Sequence, residues 1–130
     1  MTDALTLSRF ALERAGIPPD RIVVFAQSIG AAVAMLLCHQ LALGSPPTLF
    51  ADMVLAAPFA DVELLTWAQR GVNKFIVNKW ASKGTLASFN RHCDVGPKSR
   101  ATSTRSRYDI TLIHAEDDYD IPWVHSDVLF

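Results

Sequence analysis

Residues 21–32 constrain the fold most strongly, because an apolar run rich in β-branched residues changes into a helical pattern at a single serine. Residues 21–26 are typical of a buried parallel strand. Ser28 follows between small residues, and an apolar, nearly uncharged run over 29–43 predicts a buried helix. A sharp strand-to-helix turn of this kind holds a nucleophilic serine out at the end of a sheet.

The remaining apolar runs predict a small parallel sheet. Further strands are expected at 52–57 and 108–114, an amino-terminal helix over 2–16, and a last helix that opens at Ile121-Pro122. Strands that alternate with helices imply βαβ crossovers and a sheet covered by helices on both faces. Three strands leave both outer strands with exposed edges, so we expect further strands outside this chain, which would then be a fragment.

Two less regular stretches interrupt this pattern. Residues 63–87 predict one or two amphipathic helices, whereas 91–107 are polar and basic and predict a surface loop. The basic side chains of that loop favour either peripheral contact with an anionic membrane or plain solvation; they are Arg91, Lys98, Arg100, Arg105 and Arg107.

Composition narrows the class of protein. The chain has 130 residues, 50% hydrophobic and 19% charged, with a net charge of −1, which fits one globular unit and argues against a nucleic-acid partner. Its two cysteines lack disulfide-framework or metal-site spacing. The amino terminus has no signal-peptide pattern, and polar residues interrupt the apolar stretch over 22–43, which favours a strand and helix over a membrane span.

Ser28 is the strongest candidate for chemistry. A serine hydroxyl needs a base, a group that orients the base, and donors for the oxyanion. The predicted turn aims the Ile29 N–H at a substrate oxygen, while Gly30 and Ala31 are small enough for a helix packed closely on a strand. The alternative is that Ser28 simply caps the helix.

An acidic loop follows the third predicted strand. Residues 114–122 contain four acids within five positions, namely Glu116, Asp117, Asp118 and Asp120. Catalytic groups in open parallel sheets gather at the carboxyl ends of strands, so an orienting carboxylate is expected here. The alternative is a loop whose acids cap the helix after Pro122.

Both features resemble motifs of the α/β-hydrolase superfamily. Residues 26–30, Ala-Gln-Ser-Ile-Gly, resemble its nucleophile elbow, although Ala26 stands where that family normally has Gly. Residues 114–118, followed by Ile121-Pro122, are similar to the loop after its seventh strand, where the triad acid resides. The resemblance implies that Ser28 is the nucleophile, the Ile29 N–H an oxyanion donor, and Asp118 the acid, with Asp117 and Asp120 as weaker candidates.

The resemblance also implies a partial α/β-hydrolase domain over 1–130. That domain lacks the early strands and the last strand of its sheet and carries a cap-like helical insert at about 62–107. The triad histidine follows the acid in this family, so we expect it beyond Phe130 and interpret His39, His92, His114 and His125 as structural or solvent-facing rather than catalytic. In the insert, Trp67, Phe75 and Trp80 are expected either to line an acyl pocket or to pack in the core.

The third strand and its loop are most similar to abhydrolase-domain serine hydrolases that act on monoacylglycerols and lysophospholipids. The resemblance therefore implies an esterase or lipase that needs no metal or organic cofactor and binds a small acyl ester or lipid. Without its histidine the chain is expected to be inactive by itself. The alternative is a non-catalytic truncated product or a remnant that only binds.

Overall fold

The computed structural model describes residues 1–61, 81–95 and 108–130. Its α-helices are α1 (Thr2–Arg9), α2 (Ile29–Ala42), α3 (Ser82–Val95) and α4 (Val124–Leu129). Its strands are β1 (Val23–Gln27), β2 (Asp52–Ala56) and β3 (Asp109–Ile113). The described part therefore has the α/β architecture expected from the alternation of strands and helices.

The three strands form one parallel sheet in the order β1-β2-β3. Each predicted strand is present, with its ends shifted by at most two residues. The largest shift is at the start of β1, because Pro19–Arg21 form a 3₁₀ turn in which the Ile22 N–H donates to the Pro19 carbonyl at 3.1 Å. Helix α2 begins at Ile29 as predicted and ends one residue early.

The two faces of the sheet differ sharply in the described residues. One face carries Met53 and Leu55 of β2, both fully buried against α2 and α3. The register aligns Phe25 with Val54 and Thr111 on the opposite face, where Phe25 is 66% exposed. Successive side chains of a strand point to opposite faces of the sheet. Within residues 1–61, 81–95 and 108–130, the helices cover the face that carries Met53 and Leu55.

The prediction of a loop over 91–107 is wrong for residues 91–95, because these residues belong to helix α3. Leu86 and Phe89 are buried in the core, and Cys93 packs against the same cluster, a spacing of three and then four residues that is typical of one helical face. His92 Nε2 lies 3.1 Å from the Ala42 carbonyl at the end of α2. The basic, Ser-rich residues that follow obscured this short apolar stripe.

The amino-terminal helix ends where the sequence indicates. Helix α1 continues into a π-helix, Phe10–Arg14, in which the Ala15 N–H donates to the Phe10 carbonyl at 2.9 Å. Gly16 then adopts φ 64°, a left-handed conformation that glycine accepts without steric penalty. The chain turns there toward Pro18 and β1.

Several sequence predictions lie outside the described residues. Residues 62–80 include Trp67, Phe75 and Trp80, and residues 96–107 include four of the five basic side chains predicted for the surface loop. Of the predicted insert over 62–107, only residues 81–95 are described, and α3 lies in the core with α2. Within the described ranges, every helix is too short or too polar to cross a membrane.

Candidate active site at the carboxyl edge of the sheet

Ser28 occupies a strained turn between β1 and α2. Its backbone has φ 53° and ψ −127°, a region that side-chain-bearing residues rarely adopt. The turn is held by backbone hydrogen bonds on both sides: the Ser28 N–H donates to the Ala56 carbonyl at 3.0 Å, and the Ala31 N–H donates to the Ser28 carbonyl at 2.9 Å. A residue kept in such a conformation is typical of functional sites.

The Ser28 side chain does not cap α2. The residue stands at the N-cap position, yet its hydroxyl makes no hydrogen bond to the first turn of the helix. The capping alternative needs that bond, because an N-cap serine stabilises a helix by accepting from the second or third N–H. The geometry therefore favours a hydroxyl held for another purpose.

Small residues line the contact between α2 and β1 behind the turn. A Cβ placed on Gly30 would meet the Ala26 Cβ at 4.0 Å, an ordinary van der Waals distance. Ala31 and Ala32 are buried immediately afterwards. Ala26 thus fits beneath the turn, and the structure accommodates an alanine where the resembled motif normally has glycine.

The start of α2 presents hydrogen-bond donors. The N–H groups of Ile29 and Gly30 stand in the first helical turn, where no intrahelical acceptor exists for them. The Ile29 side chain is 60% exposed, so this end of the helix faces solvent. The helix dipole adds partial positive charge at the same end, which suits a developing oxyanion.

Asp118 lies in a turn of a different kind after β3. Its Oδ1 accepts from the Asp120 N–H at 3.0 Å and from the Ile121 N–H at 2.9 Å. Its Oδ2 lies 3.7 Å from His114 Nε2, too far for a hydrogen bond, and the carboxylate is 22% exposed. One oxygen is therefore occupied and the other is available to a further donor.

The neighbouring acids lack this support. Glu116, Asp117 and Asp120 are exposed, and in the described residues the backbone N–H groups of this turn donate to the Asp118 carboxylate. Among the four acids of the loop, Asp118 is the one whose side chain is oriented by backbone donors. Asp117 and Asp120 remain weaker candidates.

His114 connects this loop to α4. Its ring is 5% exposed, its Nε2 lies 2.6 Å from the Ile121 carbonyl, and its Nδ1 lies 2.6 Å from Ser126 Oγ. A carbonyl can only accept, so Nε2 carries a proton; in the neutral ring, Nδ1 then accepts from the Ser126 hydroxyl. Both nitrogens are thus engaged.

His125 is buried between α4 and the segment after β2. Its Nδ1 accepts from the Ala60 N–H at 3.3 Å. Burial lowers its pKa, nearby His114 lowers it further, and Asp61 partly opposes both effects. The ring is therefore held neutral, with its accepting nitrogen occupied by the backbone.

The other two histidines lie away from Ser28. His39 is in the last turn of α2, and His92 is on α3 beside the end of α2. Cys38 is no competing nucleophile, because burial, with a smaller contribution from Cys93, raises the pKa of its thiol to about 12. Ser28 is accordingly the nucleophile candidate that the geometry favours.

The three loops at the carboxyl edge of the sheet meet in a small apolar cluster. Ala32 of α2, Phe59 after β2 and Ile121 after β3 are buried together, with Ala57 packed against them. Ala57 has φ 43°, and its N–H donates to the Ile113 carbonyl at 2.8 Å, beside the Ser28 bond to Ala56. The Ser28 turn and the Asp118 loop therefore stand at one edge, joined by packed side chains.

Sequence reasoning missed the residues that join these loops. From the sequence, Ile121 belongs to the acid-loop motif and to a helix start, but no buried contact is predicted for it, and Ser126 and Phe59 have no predicted role at the site. Ile121 has a weak signal, since a lone apolar residue among acids must be buried to be useful. Ala57 has none, because alanine does not favour positive φ.

Neither a metal site in the described residues nor a similar known protein is found. In the described residues, no group of three or more His, Cys, Asp or Glu side chains is placed to hold a metal ion. No family model, curated protein or solved structure matches the chain.

Proposed function

We propose that this chain carries the nucleophile and the orienting acid of a serine hydrolase that cleaves carboxylic esters. The observation that supports this most is the Ser28 turn: φ 53°, ψ −127°, and a hydroxyl that makes no capping bond at the start of a helix. The oriented Asp118 carboxylate at the same edge of the sheet adds to it. The proposed superfamily is that of the α/β-hydrolases. Residues 26–30 resemble its nucleophile elbow, and residues 114–122 resemble its acid loop.

In this mechanism the Ser28 hydroxyl attacks the ester carbonyl carbon, and its proton passes to a base. The Ile29 N–H stabilises the oxyanion of the tetrahedral intermediate. Collapse of the intermediate breaks the ester bond and releases the alcohol, which takes the proton from the base and leaves an acyl group on Ser28. Water then attacks the acyl carbonyl carbon as the same base takes its proton. The bond between the acyl group and the Ser28 oxygen breaks, the acid leaves, and the base returns the proton to Ser28.

Asp118 has one role in this scheme, which is to orient the base. Its Oδ1 is held by two backbone N–H groups, so Oδ2 is the oxygen that would accept from an imidazole N–H. The base in this proposal is a histidine other than His114 and His125, because both ring nitrogens of His114 and the Nδ1 of buried His125 are engaged in structural contacts. By the resemblance to the α/β-hydrolases, we expect the triad histidine to follow Asp118 in chain order.

The substrate class that we propose is an acylglycerol or lysophospholipid ester. Exposed apolar side chains near the site support this choice, namely Ile29 at the start of α2, Tyr119 in the acid loop and Trp123 before α4. An acyl chain gains free energy when such surfaces are removed from water. Neither a metal nor an organic cofactor takes part.

Labelling by a fluorophosphonate probe tests the nucleophile. The probe phosphonylates an activated serine. We therefore expect the hydrolase to be labelled and the Ser28→Ala variant to show no labelling. Ser45→Ala is the matched control, because Ser45 is an exposed serine in the loop that leads to the opposite end of the sheet. Labelling that persists in Ser28→Ala would refute the assignment of Ser28.

A second candidate is a chain that binds but does not catalyse. The engaged state of His114 and His125 favours it for these 130 residues alone, because removal of a triad member costs several orders of magnitude in rate. A nitrophenyl ester distinguishes the candidates. A burst of nitrophenol that is stoichiometric with this chain, and lost in Ser28→Ala, would exclude the non-catalytic candidate.

A further inference from the structure

His114 stands out among the side chains near the acid loop because it is buried, polar and bonded at both nitrogens. Its two hydrogen bonds of 2.6 Å reach Ile121 and Ser126, seven and twelve residues further along the chain. A histidine at the end of a strand could have faced solvent at no cost. Its ring instead closes the base of the loop that carries Asp118.

Ile121 is the residue through which this contact reaches Asp118. The Ile121 carbonyl accepts from His114, and the Ile121 N–H donates to Asp118 Oδ1 at 2.9 Å. The Ile121 side chain is buried in the cluster with Ala32 and Phe59. Ile121 is thus held from three directions, and each contact limits where the Asp118 carboxylate can stand.

We propose that His114 is a positioning residue for Asp118. Its Nε2–H holds the Ile121 backbone, which in turn orients Oδ1 of Asp118 and leaves Oδ2 free for the base. His114 does not touch substrate or the reacting atoms. The proposal rests on the proposed function, since only there is Asp118 the orienting acid.

Substitutions of His114 separate positioning from simple filling of space. The glutamine amide reaches about as far as Nε2, so His114→Gln keeps a donor for the Ile121 carbonyl. The asparagine amide reaches only as far as Nδ1, so His114→Asn loses that donor while it remains polar and buried. His39→Asn is the control, because His39 lies in the last turn of α2.

The measurement is amide hydrogen exchange by NMR on the 130-residue chain, together with the proton shifts of the Asp120 and Ile121 amides. We expect both amides to exchange about tenfold faster in His114→Asn, as the loss of a hydrogen bond implies. The amides of Val54 and Leu112 in the sheet should then change by less. His114→Gln should exchange at close to the wild-type rate, and His39→Asn should leave both amides unchanged.

The opposite results overturn the proposal. Unchanged Asp120 and Ile121 amides in His114→Asn, or equal acceleration in the sheet and the loop, would leave His114 as a structural residue alone. If His114→Asn does not fold, His114→Gln decides: altered loop shifts despite the retained donor would contradict the role of Nε2, and wild-type shifts would support it.

The test also separates this inference from the proposed function. An unlabelled Ser28 in the complete hydrolase, with the exchange pattern as expected, would remove the hydrolase proposal and leave the hold of His114 on the Asp118 loop. A labelled Ser28 with unaltered exchange in His114→Asn would do the reverse. Neither result depends on the other.

Discussion

Two turns at the carboxyl edge of the sheet are built in opposite ways. The Ser28 turn is made by the backbone alone, with φ 53° and a side chain that makes no capping bond. The Asp118 turn is made by a side chain, whose Oδ1 accepts two backbone N–H bonds. The first stores strain and leaves its hydroxyl available, whereas the second uses one oxygen for stability and leaves the other available.

Under the proposed function, one edge of the sheet holds a nucleophile and an orienting acid by these two separate means. A nucleophile that capped its own helix would have a lone pair occupied by the capping hydrogen bond. The strained turn at Ser28 leaves that bond unmade. An orienting acid has two oxygens and can use one of them locally. Stability and function are therefore in conflict at Ser28 but largely compatible at Asp118.

Removal of each side chain gives the largest expected contrast. Asp118→Ala leaves the Asp120 and Ile121 N–H groups without their acceptor and should lower the free energy of unfolding by about 2 kcal/mol. Ser28→Ala removes no capping hydrogen bond from α2 and should change the free energy of unfolding by less than about 0.5 kcal/mol. Urea denaturation of the two variants measures both values.

Asp118→Asn is the control for this contrast. The asparagine oxygen can still accept from both N–H groups, so most of the loss should be recovered. Equal losses in Ser28→Ala and Asp118→Ala would show that the two turns do not differ in the way described.

Acid should weaken the edge at His125 before it affects the Ser28 turn. Because burial lowers the pKa of His125 in the folded chain, the unfolded chain binds more protons below its own pKa of about 6.5. Stability is therefore full above that pH and is lost as the pH falls below it, by at most about 1.4 kcal/mol per pH unit. Urea midpoints between pH 8 and pH 5 measure this slope.

His125→Asn should remove that dependence. The asparagine oxygen can accept from the Ala60 N–H as Nδ1 does, but it does not titrate in this range. A slope that stays the same in His125→Asn would assign the acid sensitivity to groups other than this histidine, such as Asp61 or His114, which face it.

The smallest expected effect is a gain at the strained turn. Ser28→Gly relieves the positive φ, and this outweighs the extra freedom of glycine in the unfolded chain by about 0.5–1 kcal/mol. Ser28→Ala keeps the Cβ and therefore separates backbone relief from loss of the hydroxyl. A Ser28→Gly variant less stable than Ser28→Ala would indicate that the turn holds no strain.

The elements that periodicity predicts well are those whose burial is continuous. The buried runs at β1, β2, β3 and α2 appear within two residues of their predicted bounds. Helix α3 was missed from Arg91 to Val95, because its buried stripe is only Leu86, Phe89 and Cys93 in a polar segment. Side-chain alternation along a strand does not show which face of the sheet a helix occupies, so the covering of the second face stays a prediction.

Local sequence patterns specify the strand–serine–helix succession, the parallel direction of the strands and the small residues between α2 and β1. These follow from local chemistry, because apolar periodicity and side-chain size act along neighbouring residues. Tertiary structure alone decided that Ser28 makes no cap, that Asp118 rather than its acidic neighbours is oriented, and that His114 and His125 are engaged. Each of these depends on which distant backbone group a side chain meets, and packing between α2, α4 and the loops after β2 and β3 selects those partners.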